Sequence, residues 1–175
     1  HFFAVEPYKS HRGYFDVHVT FPLSQECGVN TMNTYVNNRF GTLYGYDGTI
    51  CTSDQLITTV DEVVSYAVEY SPLESRDLRE SLIILVPNDD AYDGNTIYSG
   101  DATVSLCPPS SRPYPQDTRG VIQHEAGGHG FGKLADEYIY HNAFISTCTC
   151  TDGCGHVDDF NRGKDGKPCY KTADN

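Results

Sequence analysis

The stretch His124-Glu125-Ala126-Gly127-Gly128-His129, followed by Gly132 and then Asp136-Glu137-Tyr138, decides how this chain is read. Two imidazoles bracket a carboxylate and an acidic pair follows, which is the donor set of a catalytic zinc site. In the common form of such a site the histidines are four residues apart. Four residues advance an α-helix by about one turn and put both rings on one face. Here the histidines are five apart. Five steps of roughly 100° leave the rings about 140° apart on an ideal helix. Either the helix departs from α geometry, or two histidines fall incidentally in a glycine-rich loop.

The glycines favour the first reading. A π-type widening absorbs an extra residue inside a helix, and such features occur mostly at functional sites. Gly127-Gly128 stands where the extra residue has to go. A glycine pair costs a helix interior about 1 kcal/mol per residue relative to alanine. Holding two ligands on one ion is a reason to carry that cost. The sharp expectation is therefore a helix that is over-wide or bulged at Gly127-Gly128.

A catalytic zinc takes three protein ligands and leaves one position for water. His124 and His129 are candidates for two of the three. Glu125, next to the first, is the candidate base for the water proton and the acid for the leaving amine. Gly132 is expected to end the helix and let the chain return Asp136 or Glu137 to the metal. Asp136 is taken as the third ligand, with Glu137 orienting a histidine or holding the return segment; the two roles could be exchanged. Tyr138 or Tyr140 is a candidate hydrogen-bond donor to the oxyanion, against the plainer role of a packed tyrosine.

Residues 124 to 138, His-Glu-Ala-Gly-Gly-His-Gly-Phe-Gly-Lys-Leu-Ala-Asp-Glu-Tyr, resemble the active-site stretch of the bacterial IgA-peptidase family of secreted zinc metallopeptidases. The His-Glu-x-x-Gly-His spacing also resembles that of the dipeptidyl peptidase III zinc enzymes. A looser similarity to the IgA-peptidase family reaches back to about Tyr14 and includes the Leu-Val-Pro-Asn strand end. The resemblance implies a zincin fold related in layout to the metzincins and an extracellular or periplasmic endopeptidase. It implies His124, His129 and Asp136 as ligands and Glu125 as base. Two departures stand out. The motif carries one residue more than the plain zincin form, and the chain's single methionine, Met32, precedes it. No metzincin-type Met-turn can therefore follow the motif. Few elements follow the active-site helix, so a missing C-terminal part of the catalytic domain is expected.

With 175 residues the chain has the length of one domain with a proper core. Its net charge of −12 argues against nucleic acid and anionic membrane surfaces as partners. The longest apolar run, Leu82 to Val86, falls far short of the ~20 residues that span a bilayer. The first residue is His1, without methionine or signal peptide, as in a processed protein or an excised piece. Thirteen tyrosines and seven cysteines suit a secreted or extracytoplasmic protein, the odd cysteine being free or paired elsewhere.

Phe15 to Phe21 alternates with period two and reads as a half-buried strand ending at Pro22. A polar, Gly- and Asn-rich connection follows to about Thr52. From Asp54 to Tyr70 apolar residues recur at helical spacing, with Ser53 or Asp54 as N-cap. Ser81 to Val86 reads as a strand covered on both faces. Strand, helix and strand in this order predict a right-handed crossover into a parallel pair. Asp101 to Cys107 reads as a further strand, and Asp117 or Thr118 as the cap of the active-site helix, with Val121 and Ile122 on its buried side.

Other signals are weaker. Gly127 to Lys133 fits a phosphate-binding loop, but Leu134 stands where Ser or Thr would bind magnesium. No nucleophile elbow supports serine chemistry. Cys148, Cys150, Cys154, His156 and Cys169 read as a disulfide-stapled loop, with a structural zinc site as the alternative. Asp89 to Asn95 offers oxygen ligands for calcium, but without an EF-hand pattern a solvated turn is the plainer reading.

The expectation is thus a single α/β zincin-like catalytic domain over residues 1–175 with a Cys-rich extension at about 142–175. Its sheet is mixed and mostly parallel, with a backing helix and an active-site helix. Function is expected to be zinc-dependent hydrolysis of extracellular proteins or glycoproteins. The alternative is a non-catalytic secreted binding protein with a structural or vestigial zinc site.

Overall fold

The computed structural model describes residues 1–31, 34–44, 56–90 and 93–136. Its regular elements are β1 (Leu43–Tyr44), β2 (Leu56–Ile57), α1 (Val60–Tyr70), β3 (Ile83–Leu85), β4 (Asn95–Ser99), β5 (Ala102–Leu106) and α2 (Thr118–Val121). Helix α2 continues without a break into a π-helix, Ile122–Phe131, and the two together form the expected active-site helix.

Strand β5 is buried along its whole length and organises the layers. It lies between β3, which it pairs in parallel, and β4, which it pairs antiparallel. Alternate side chains of a strand point to opposite faces. Val104 and Leu106 join Val29, Phe40, Leu56 and Val63 of α1 in one core. Ser105 and Cys107 point the other way, where Cys107 meets Val121 and Ala126 of the active-site helix in a second core. The chain is thus a mixed α/β arrangement of short sheets, with α1 backing one face and the active-site helix the other.

Several expectations change. Phe15 to Phe21 joins no strand ladder among the described residues, and Val17, Val19 and Phe21 are 52, 70 and 83% exposed. Alternation makes a strand only where an edge accepts its hydrogen bonds, and the Phe15 ring is instead drawn into contact with Phe2, Phe3 and Phe131. The parallel pair is therefore β3 with β5, not the first apolar segment with β3. The strand covered on both faces is β5. β3 is an edge strand with Ile84 exposed, as is Val86 just beyond it. β5 has one parallel and one antiparallel neighbour, so this sheet is mixed but not mostly parallel.

The backing helix starts later than its periodicity suggests. Leu56 and Ile57 are buried in β2, antiparallel to β1. The Leu56 N–H donates to Asp93 Oδ2 at 2.8 Å, and its carbonyl accepts from Asn95 Nδ2 at 2.9 Å. With both backbone groups captured from the β4 side, Leu56 cannot enter a helix, and Thr59 becomes the N-cap. Asp93 and Asn95 thereby serve the backbone, which is what the Asp89–Asn95 segment is seen to do; residues 91–92 lie outside the described residues.

The active-site helix starts as expected. Asp117 caps it, accepting from Gly120 N at 2.8 Å. Its approach to the sheet depends on Gly130. A Cβ there would lie 2.6 Å from both Leu82 Cδ1 and Ser105 Oγ. At Gly128 a Cβ would meet nothing closer than 3.8 Å. Gly130→Ala is therefore expected to cost about 1–3 kcal/mol through overpacking. Gly128→Ala should be neutral, or stabilising by about 0.4–1 kcal/mol through the unfolded chain. Urea unfolding of the two variants measures the contrast, and equal losses would contradict it.

Candidate metal centre

The helix that carries the motif is not α-helical. From Ile122 to Phe131 its hydrogen bonds run to the fifth residue back, as at its end, where Gly132 N donates to Gly127 O at 2.9 Å. The deformation expected at one glycine pair extends over the whole ten-residue segment. In that geometry residues five apart lie much nearer one face than on an α-helix, and His124 and His129 come together with Nε2 atoms 3.2 Å apart.

Asp136 closes the group. Its Oδ1 lies 3.2 Å from His124 Nε2 and 3.2 Å from His129 Nε2. The three atoms form a triangle of equal sides. A tetrahedral ion with bonds of about 2.1 Å separates its ligand atoms by about 3.4 Å, close to this spacing. His129 Nδ1 lies 2.6 Å from the Leu134 carbonyl, which fixes the ring proton there and turns the Nε2 lone pair inward. Asp136 Oδ1 is buried, with the two imidazole nitrogens as its near polar neighbours. Acceptors converging in this way call for a cation, so the residues present fit a divalent ion. They are the one such group among the described residues.

The electrostatics point the same way. Burial works to raise the Asp136 carboxyl, but the two imidazoles outweigh it and hold the group below the usual carboxylate range. The hydrogen-bonding side chain of Asp136 raises His129 to about 9, against the effect of burial and with help from the Leu134 carbonyl. A proton and an ion compete for the same His129 nitrogen.

Glu125 stands behind the triangle. Its Oε1 is 3.9 Å from His124 Nε2, and its side chain is only 10% exposed. Burial pushes its carboxyl up to about 7, against the pull of His124, His129 and the Thr96 hydroxyl. Thr96 Oγ1 lies 3.0 Å from Glu125 Oε2, and the missing side chain of Gly94 makes room for the carboxyl. A Cβ on Gly94 would sit 2.6 Å from Glu125 Cγ. Neither residue was legible as part of the site. The signal available was the alternation of Thr96 and Tyr98 on one face of β4.

The return from helix to Asp136 is built by Gly132 and Lys133. Gly132 caps the end of the helix, as expected, but Lys133 takes the left-handed turn at φ 53°. Lys133 Nζ donates to Thr103 Oγ1 at 2.7 Å and lies over the Tyr98 ring, so this lysine of the phosphate-loop pattern is spent on the sheet. Glu137, Tyr138, Tyr140 and the cluster from Cys148 to Cys169 lie outside the described residues, and so do the questions attached to them. Cys27 and Cys107 are free thiols, the first exposed and the second buried.

Comparison with curated proteins and with solved structures gave no match. A family model described as IgA Peptidase M64 matches residues 1–147, which contain every residue of the centre just described. The chain belongs to the IgA peptidase M64 family, a family of metallopeptidases.

Proposed function

We propose that this chain carries the catalytic centre of a zinc-dependent endopeptidase, on a zincin-like α/β scaffold, acting on extracellular proteins or glycoproteins. The observation that carries the reading is the equal-sided triangle of His124 Nε2, His129 Nε2 and Asp136 Oδ1 with the buried Glu125 carboxyl beside it. A structural site would not need that carboxyl. Zinc held by the three ligands supplies Lewis acidity and a water acidified toward a pKa of ~7.

The chain's own residues do the rest. Glu125 Oε1 faces the ligand atoms and takes the proton of the attacking water, then returns it to the leaving amine. A carboxyl raised by burial to about 7 suits both acts near neutral pH. Leu134 holds His129 in one tautomer throughout. β4 ends the described sheet and runs along the active-site helix, which suits an extended peptide laid beside it. A secreted or extracytoplasmic setting fits such a substrate. Among the described residues no helix is long and apolar enough to cross a membrane.

Glu125→Gln is expected to lower hydrolysis of a casein substrate by about 10²–10⁴-fold while metal analysis still finds one zinc per chain. His129→Ala or Asp136→Ala should instead lose the zinc. Chelation of the wild type should abolish cleavage and lower the melting temperature together. Zinc bound at full occupancy with no cleavage by the wild type, and only the melting temperature changed by chelator, would mean a binding protein. Gly94→Ala should push the Glu125 carboxyl aside and cost about 10²-fold in rate with zinc retained. Kinetics combined with metal content check that separation.

A further inference from the structure

The Glu125 carboxyl can turn about its last torsion, which is broad and nearly two-fold for glutamate. Nothing covalent decides which oxygen faces the ligand triangle. Three groups crowd it. Gly94 leaves no room for a Cβ, which would lie 2.9 Å from Oε1. Thr96 Oγ1 lies 3.0 Å from Oε2, 2.9 Å from the Glu125 carbonyl oxygen and 2.8 Å from Ser105 Oγ. Ser105 Oγ lies 3.2 Å from that same carbonyl. Thr96, Ser105 and Glu125 are all buried, so these hydroxyls have no water to turn to.

Each hydroxyl has one proton to give. The carbonyl and Oε2 both want one, and an ionised oxygen is the stronger acceptor. The consistent arrangement has Thr96 donating to Oε2 and Ser105 donating to the carbonyl. We propose that Thr96 is a positioning residue: its hydroxyl anchors Glu125 Oε2 and so assigns Oε1, the oxygen nearest His124, as the one that takes the proton. The bond survives the proton transfer, because Oε2 remains an acceptor when Oε1 is protonated. Ser105 has a different task, donating to the helix carbonyl, while Thr96 gives its single proton to the ionised oxygen, the stronger acceptor, with or without that bond. The assignment rests on the proposed role of Glu125 as base.

The test compares Thr96→Val, Thr96→Ser and Ser105→Ala in the zinc-loaded chain, with fluorogenic casein as substrate. Thr96→Val is expected to lower kcat by about 10–100-fold with KM and zinc content unchanged. Thr96→Ser should restore kcat to within about threefold of wild type. Ser105→Ala should lower the melting temperature yet keep kcat within about threefold. A second readout needs no turnover. The infrared carboxylate band that disappears in Glu125→Gln should shift in Thr96→Val and stay in place in Thr96→Ser. If Thr96→Val does not fold, Thr96→Cys, with its weaker donor, should give a smaller shift of the same band. A band unmoved in Thr96→Val, or equal losses of kcat in Thr96→Val and Ser105→Ala, would overturn the assignment. A wild type that leaves casein intact would defeat the catalytic reading alone, since the infrared band still decides the Thr96 bond.

Discussion

Everything at this site depends on a helix hydrogen-bonded to the fifth residue rather than the fourth between Ile122 and Phe131. π-helical geometry is rare and usually confined to a single turn. A ten-residue run needs support from outside itself, and hydroxyl groups supply it. The carbonyl of Glu125 meets Thr96 and Ser105, that of Gly127 meets Tyr8, and that of His129 meets Tyr98. Donors thus arrive from β4, from β5 and from the N-terminal segment. The widened helix is held open by its neighbours, and the neighbours are placed by the sheet.

The glycines serve that arrangement differently from the way their positions suggest. Gly127 and Gly128 sit at the expected extra residue, but Gly128 has room for a side chain. The tight contacts fall at Gly130, against Leu82 and Ser105, and at Gly132, where a Cβ would lie 2.8 Å from the Gly128 carbonyl. Gly130 sets how near the helix lies to β5. That distance in turn decides whether Ser105 can reach the Glu125 carbonyl. Packing and proton placement are therefore one constraint.

This explains which features were legible from sequence. The five-residue spacing implied a non-α helix, because ring directions follow from helical arithmetic alone, and such a helix is what is found. The Asp117 cap and the strand after Gly100 rest on equally local chemistry. The start of α1 was not legible, since Leu56 is withheld from the helix by Asp93 and Asn95, far along the chain. Phe15 to Phe21 has the pattern of a strand, but pattern cannot report whether an edge is on offer. Thr96 and Ser105 were missed for the same reason. A threonine and a serine in strands look ordinary until the fold brings both to one carbonyl.

Asp136, the proposed third ligand, shows how much of the centre is held by backbone. Between Gly132 and Asp136 the chain must reverse and bring a carboxylate back to the two imidazoles. Leu134 N donates to Gly128 O at 3.0 Å, and Leu134 O faces His129 Nδ1. One residue thus ties the return to the helix and fixes the tautomer of His129. Lys133 accepts a left-handed backbone, which costs a non-glycine residue about 1–2 kcal/mol. Its ammonium is bonded to Thr103 on β5, so the strained residue is anchored to the strand that also carries Ser105. The acceptors are consequently brought to 3.2 Å by a backbone frame together with their own attraction. Without an ion that convergence is balanced by a proton, since the hydrogen-bonding Asp136 side chain raises His129 above its ordinary value. A frame able to impose it is preorganised for an ion, and binding then returns the energy that the fold has spent on bringing acceptors together.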